Sequence, residues 1–164
     1  MSLIVTGTIG IDDVQTPSGS VESVPGGSCT YFAAAASRLT PTRVVAVVGD
    51  DWPPDHRQAL ERFDGIDLGG LEVREGSQTF RWGGRYLENM NDRETIFTEL
   101  GVLEESPPTV PPAFADSQFV FLANTHPGVQ RDLLQQFPDR QLAVADTMDL
   151  WITIAGDELT ALLA

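Results

Sequence analysis

An α/β architecture is predicted, a mostly parallel sheet flanked by helices with a small antiparallel sheet set beside it, and three observations predict it. Unbroken apolar runs such as Val44-Val45-Ala46-Val47-Val48 have the pattern of strands buried on both faces. Such runs alternate with segments of helical character, the order that builds parallel sheets. The middle of the chain differs: its β-type stretches are short and charged, and glycine pairs and an Asn/Asp-rich turn separate them.

In order, Leu3 to Thr6 is a short β-branched strand that Gly7 ends. Asp12 to Ser23, polar and carrying Pro17 and Gly19, reads as a turn or hairpin leading into Val24-Pro25-Gly26-Gly27. The alanine-rich segment from Thr30 predicts a helix packed closely on the sheet, ending near Thr40-Pro41. Arg43 to Val48 is the second long strand, closed by Gly49-Asp50-Asp51, and Pro53 to Phe63 is a helix with proline in its first turn. Leu71 to Glu75, Thr79 to Leu87 and Glu94 to Leu100 are expected to form the small antiparallel sheet. The proline-rich stretch Glu104 to Pro112 is expected to be a linker or extended return. Strand Phe119 to Ala123, helix Val129 to Phe137 and strand Leu142 to Ala145 then resume the core. A last helix is expected to be capped by Asp157, with Leu159, Leu162 and Leu163 on one face. It has room for about two turns before Ala164, below the usual three, and no C-cap glycine, so the chain is expected to be a piece of a longer one.

Composition removes several functions. The 164 residues carry 24 acidic and 10 basic side chains, a net charge of -14, and every basic residue is arginine. Without lysine there is no Walker A loop, Schiff-base lysine or kinase-type strand lysine. Scattered arginines on an acidic chain do not neutralise a phosphate backbone, so nucleic acid is not an expected partner. Cys29 stands alone and the only histidines are His56 and His126, so neither a disulfide nor a structural zinc site is expected. The lone thiol fits a reducing cytoplasm, and no apolar run approaches the roughly 18 residues of a membrane span. The hydrophobic share of 41% suffices for a packed core.

Ligands on parallel sheets sit at the carboxyl ends of the strands, which here carry Gly7 to Asp12, Gly49-Asp50-Asp51, Asn124-Thr125-His126-Pro127 and Asp146-Thr147-Met148-Asp149. Carboxylates, amides and an imidazole on one rim suit hydroxyl groups, hence a polyol or sugar, although Asp at a strand end is also ordinary turn chemistry. Gly26-Gly27 before a helix exposes bare backbone that a ligand can approach, or else forms a simple turn. Gly7-x-x-Gly10 lacks the spacing of a dinucleotide fingerprint. His56 is expected to be solvated, His126 is a candidate for facing the rim, and Cys29 is expected in the core. Alternation places Trp82, Gly84 and Tyr86 on one face of the central excursion and Arg81, Gly83 and Arg85 on the other.

The order of these motifs resembles the PfkB family of carbohydrate kinases, with its ribokinase-like (Rossmann-type) fold. The matching residues are Gly7-Thr8-Ile9-Gly10-Ile11-Asp12, Pro25-Gly26-Gly27-Ser28, Val47-Val48-Gly49-Asp50-Asp51, Thr79 to Tyr86, and Asp146-Thr147-Met148. The resemblance implies that residues 1–164 are the N-terminal, substrate-binding part of such a domain, with lid segments at about 12–27 and 71–102. Asp12, Gly26, Gly27 and Asn124 would contact a sugar or nucleoside, Arg81, Trp82 and Tyr86 would belong to the lid, and two subunits would pair through the lid sheet. Tyr31 departs from the family, where many relatives have asparagine at this place. The catalytic base, the ATP pocket and the motif linked to Mg2+ would lie in a C-terminal half that follows Ala164. No catalytic residue and no metal ligand is therefore expected here, and the piece is expected to bind neither ATP nor Mg2+ and to be inactive alone. The competing expectation is a non-catalytic small-molecule-binding or dimerisation module that uses the same sheet and lid.

Overall fold

The computed structural model describes residues 2–164. A five-stranded sheet, entirely parallel, has the order β5-β4-β1-β8-β9, with β1 at Leu3–Thr6, β4 at Thr42–Gly49, β5 at Ile66–Arg74, β8 at Phe119–Leu122 and β9 at Leu142–Ala145. Helices α1 (Ser28–Ala36), α2 (Pro54–Glu61), α3 (Pro127–Leu134), α4 (Asp149–Ile154) and α5 (Gly156–Leu163) follow the strands. Alternation along the strands divides the core in two. Val5, Val44, Ala46 and Val48 face Cys29 and Ala33 of α1 and Leu60 of α2, and Phe32 of α1 stacks on Phe121 of β8 at 3.7 Å. Ile4, Val45, Val120 and Leu122 face the other way, onto Val110, Phe114, Phe137 and, partly, Leu134 of α3 and Leu162 of α5. Of the two readings of the proline-rich stretch the extended return is the one found, packed across the second face, because Val110 and, just beyond the stretch, Phe114 are buried.

A second sheet has the order β3-β2-β6-β7, with β2 at Gly10–Thr16, β3 at Gly19–Gly26, β6 at Phe80–Tyr86 and β7 at Arg93–Glu99. Its outer pairs are antiparallel, but β2 and β6 run parallel, so the sheet is mixed rather than antiparallel. Leu71 to Glu75 does not belong to it: all but Glu75 lies in β5, at the edge of the main sheet. An edge strand has one solvated flank, so Asp67, Glu72 and Arg74 mimic a protruding strand. Gly70 permits the close packing, since a Cβ there would stand 2.6 Å from the Val44 carbonyl oxygen.

Two helical expectations also change. Asp157 lies in the first turn of α5 and the N-cap is Ala155, because α4, unforeseen in the sequence, runs almost directly into α5. Leu159 and Leu162 are half-buried, whereas Leu163 is 71% exposed.

Candidate functional site

Strand order reverses at β1, whose neighbours β4 and β8 lead to opposite flanks of the sheet, and the crevice at the carboxyl end of such a strand is where open α/β sheets bind ligands. Three loops meet at that point. Gly7, at φ 140°, lies so close to β8 that a Cβ would stand 2.6 Å from the Ala123 carbonyl oxygen. Thr8 Oγ1 donates to the Asn124 carbonyl at 2.8 Å, and Asn124 N–H donates to Ser28 Oγ at 2.8 Å. Cys29 N–H donates to the Thr8 carbonyl at 3.1 Å. Gly27, at φ 85°, covers the same carbonyl, a place and a conformation open only to glycine. The turn before α1 is thereby tied to the ends of β1 and β8.

From this knot β2 and β3 rise as a hairpin that carries Asp12. Ile11, buried in the core, roots the hairpin, so alternation turns Asp12 to the opposite face. There its carboxylate lies over Gly26, and a Cβ at position 26 would push it out of that place. Burial, aided by the neighbouring Asp13 charge, raises the Asp12 carboxyl to about 6. Tyr31 donates to the Pro25 carbonyl at 2.6 Å. Its phenol is pushed up by burial and by the proximity of Asp12 and Tyr86, so these three groups share one field. A half-desolvated carboxylate beside bare glycine backbone is an acceptor suited to hydroxyl groups.

Asp12, Gly26 and Gly27 come together. Asn124 is placed less simply: its backbone is part of the knot, but its side-chain Nδ2 donates to Met148 Sδ at 3.1 Å and its Oδ1 accepts from Trp151 Nε1 at 3.0 Å. In the second sheet Trp82 stands beside Asp12 in the β2–β6 register, and its ring covers Gly84 on the same face. Gly83 faces the other way, under the Phe97 ring. Arg81 reaches to 4.0 Å from Asp13, and Tyr86 ends the strand.

Other rim candidates serve the backbone. Asp51 Oδ1 accepts from Thr79 N–H and Oγ1, both at 2.7 Å, and Asp50 Oδ2 accepts from Gly76 N–H at 2.8 Å. His126 caps α3 by accepting from Gly128 N–H at 3.1 Å and packs edge-on against Trp151. His56 is buried, against expectation, because α2 lies under β3 and Nε2 meets the Ser23 carbonyl at 2.9 Å. Cys29 is fully buried as expected, and burial pushes its thiol up to about 12. Thr8 and Ser28 lie within the quoted motifs, but nothing local told that their hydroxyls would tie the loops together, and Trp151 belongs to no motif.

Among the described residues no group of three or more His, Cys, Asp or Glu could hold a metal ion. Three of the five helix N-termini, those of α2, α4 and α5, do not fit a triphosphate either, whereas the first turns of α1 and α3 carry no acidic residue. Asp157 and Glu158 occupy the first turn of α5, Asp149 that of α4 and Asp55 that of α2, and such charges repel phosphate from the positive end of the helix dipole. No helix among the described residues is long and apolar enough to cross a membrane.

No family sequence model matches the chain, and no curated protein matches it by sequence. Solved structures do match. A Methanocaldococcus jannaschii nucleoside kinase, an archaeal member of the ribokinase family, superposes with TM-score 0.74 at 16% identity, over 99% of this chain and 58% of that one. The fold is ribokinase-like. Ribokinase from Cryptococcus neoformans in complex with ADP gives TM-score 0.71 at 17% identity over 91% of this chain and 50% of its own length. Arabidopsis thaliana ribokinase complexed with ribose and ATP gives 0.65 at 15% over 90% and 54%. The ribokinase-like chain described here therefore spans little more than half the length of these structures.

Proposed function

We propose that this chain forms the substrate-binding side and lid of an ATP-dependent kinase that phosphorylates a hydroxyl of a sugar or nucleoside. The observation that carries the reading is the Asp12 carboxylate seated over Gly26 at the point where strand order reverses. Asp12 and the backbone at Gly26 and Gly27 hold acceptor hydroxyls, with Asn124 at the rim. The second sheet, bearing Arg81, Trp82 and Tyr86, is the lid that closes over the acceptor and keeps water from intercepting the phosphoryl group. ATP and Mg2+ are held outside this chain, in the part of the fold that only the longer structures span. The acidic first turns of α2, α4 and α5, which disfavour phosphate at those three helices, support this placement. Two copies pair through the lid sheet, whose outer strands expose Val21 and Ile96. The protein works in the cytoplasm, where Cys29 stays reduced.

Equilibrium binding of a panel of pentoses, hexoses and nucleosides to the 164-residue chain tests the reading. At least one binds, and Asp12→Asn or Gly26→Ala weakens it about tenfold or more, the effect of losing a charge-assisted hydrogen bond. Incubation with labelled ATP yields no phosphorylated acceptor. Binding indifferent to Asp12→Asn overturns the site, and phosphate transfer by the chain alone overturns the placement of ATP.

A further inference from the structure

The hairpin that carries Asp12 is irregular beside that residue. Asp12 pairs with Val24 and Val14 pairs with Val21, so Glu22 and Ser23 together stand opposite Asp13. This is a β-bulge, a device that re-aims neighbouring side chains. Ser23 is in the left-handed region at φ 52°, which a non-glycine residue holds only when its surroundings enforce it. The enforcement is visible on both sides of the residue. Ser23 N–H donates to Asp13 Oδ1 at 2.8 Å, and the Ser23 carbonyl accepts from His56 Nε2–H at 2.9 Å. Arg81 of β6 lies 4.0 Å from the same Asp13 oxygen. His56, on α2, is the only member of this chain of contacts that belongs to the core layer rather than to the second sheet.

His56 is also an expensive choice for a mere core filler. Its ring is 5% exposed and packs edge-on against Trp52 at 6.3 Å, a place where an apolar ring would serve. Nε2 donates to a carbonyl, so in the neutral ring Nδ1 bears the lone pair, and that buried atom has no partner among the described residues. What an apolar ring could not supply is the donor to Ser23.

We propose that His56 is a positioning residue for the site: from the core it pins the Glu22–Ser23 bulge and so holds β2 and β3 in the register that lays the Asp12 carboxylate over Gly26. The inference rests on the reading of Asp12 as the substrate contact, but its structural half stands apart from any activity. Releasing the bulge lets β3 lift from β2 and water return to Asp12.

The test follows the Asp12 side-chain carboxyl by 13C NMR across pH in the 164-residue chain. In the wild type its midpoint is expected near 6, where burial holds it. His56→Phe keeps the ring and removes the donor, and is expected to move the midpoint toward the ordinary aspartate value of 3.8. His56→Gln, which retains an N–H donor, is expected to restore it. A Phe variant that titrates as the wild type does overturns the proposal, as does a Gln variant that behaves like Phe. Should His56→Phe not fold, the imidazole 15N shifts of the wild type decide: the Nε2–H tautomer is required, and Nδ1–H overturns the bond to Ser23. If Asp12 follows His56 in this way but Asp12→Asn leaves acceptor binding unchanged, the kinase reading fails and the positioning role stands. If Asp12→Asn abolishes binding while the Asp12 titration ignores His56, the positioning role alone fails.

Discussion

Asp12 is held where its charge is least welcome. A carboxyl whose folded-state value is raised binds its proton more tightly in the folded chain than in the unfolded one, so its contribution favours folding at low pH and is lost as pH rises. For Asp12 the window runs from the ordinary 3.8 up to about 6. Asp12→Asn, which cannot ionise, is therefore expected to match the wild type in denaturant midpoint below that window and to exceed it above, with the difference developing between the two values. Urea titrations at a series of pH values check this, and a difference that is independent of pH would show that Asp12 carries no strain of this kind. A residue that costs stability when charged, and whose carboxylate lies where a Cβ at position 26 would stand, fits the substrate contact proposed above.

At the scale of elements, two ties hold the second sheet besides the Tyr31–Pro25 bond at the base of β3. One is the His56–Ser23 bond on the β3 side. The other is the entry to β6, where Thr79, 1% exposed, gives its N–H and hydroxyl to Asp51, receives the Gly49 N–H at 3.0 Å, and so ties β6 to the end of β4. Gly101, at φ 51°, closes against the Gln78 carbonyl from the far end of β7, and Val102 N–H donates to that carbonyl at 2.8 Å. Asp51→Ala leaves two buried donors of Thr79 without their acceptor and is expected to cost about 1–3 kcal/mol, with Asp51→Asn costing less because one acceptor remains. Denaturant unfolding measures both. Equal losses for the two variants would show that the charge, not the acceptor, holds the latch.

For the whole molecule, charge opposes what apolar surface favours. Each copy carries a net charge of -14, while Val21 and Ile96 on the second sheet and Leu142 and Val144 on the edge strand β9 are about half exposed. Such surface promotes pairing and like charge resists it over a Debye length of about 10 Å at 0.1 M salt, falling to about 3 Å at 1 M. Sedimentation at micromolar concentration is therefore expected to show dimer increasing with salt. If Val21→Ser together with Ile96→Ser abolishes the dimer, the second sheet is the interface. A monomer at both salt concentrations overturns pairing altogether.

Much of the fold was legible because periodicity is a local property. Strands Leu142–Ala145 and Thr42–Gly49 and the alanine-rich α1 follow from patterns within a few residues, and their alternation dictates a parallel sheet. Asp12, Gly26 and Gly27 were singled out through the resemblance in motif order, and the glycines also as bare backbone before a helix, but that the Asp12 carboxylate lies over Gly26 depends on the pairing of β2 with β3. The assignment of β5 was not legible, because an edge strand and a protruding strand present the same alternation of charge, and only pairing with β4 separates them. The burial of His56 was hidden for a similar reason: an amphipathic helix tells which residues can face inward, not which strand will lie over them. The sequence by itself determined the layers and the acidic, lysine-free chemistry. Tertiary structure alone decided that β2 would run parallel to β6, that Asn124 would give its amide to Met148 and Trp151, and that a core histidine would reach the hairpin of Asp12. Each of these depends on contacts between residues far apart in the chain, which no local pattern encodes.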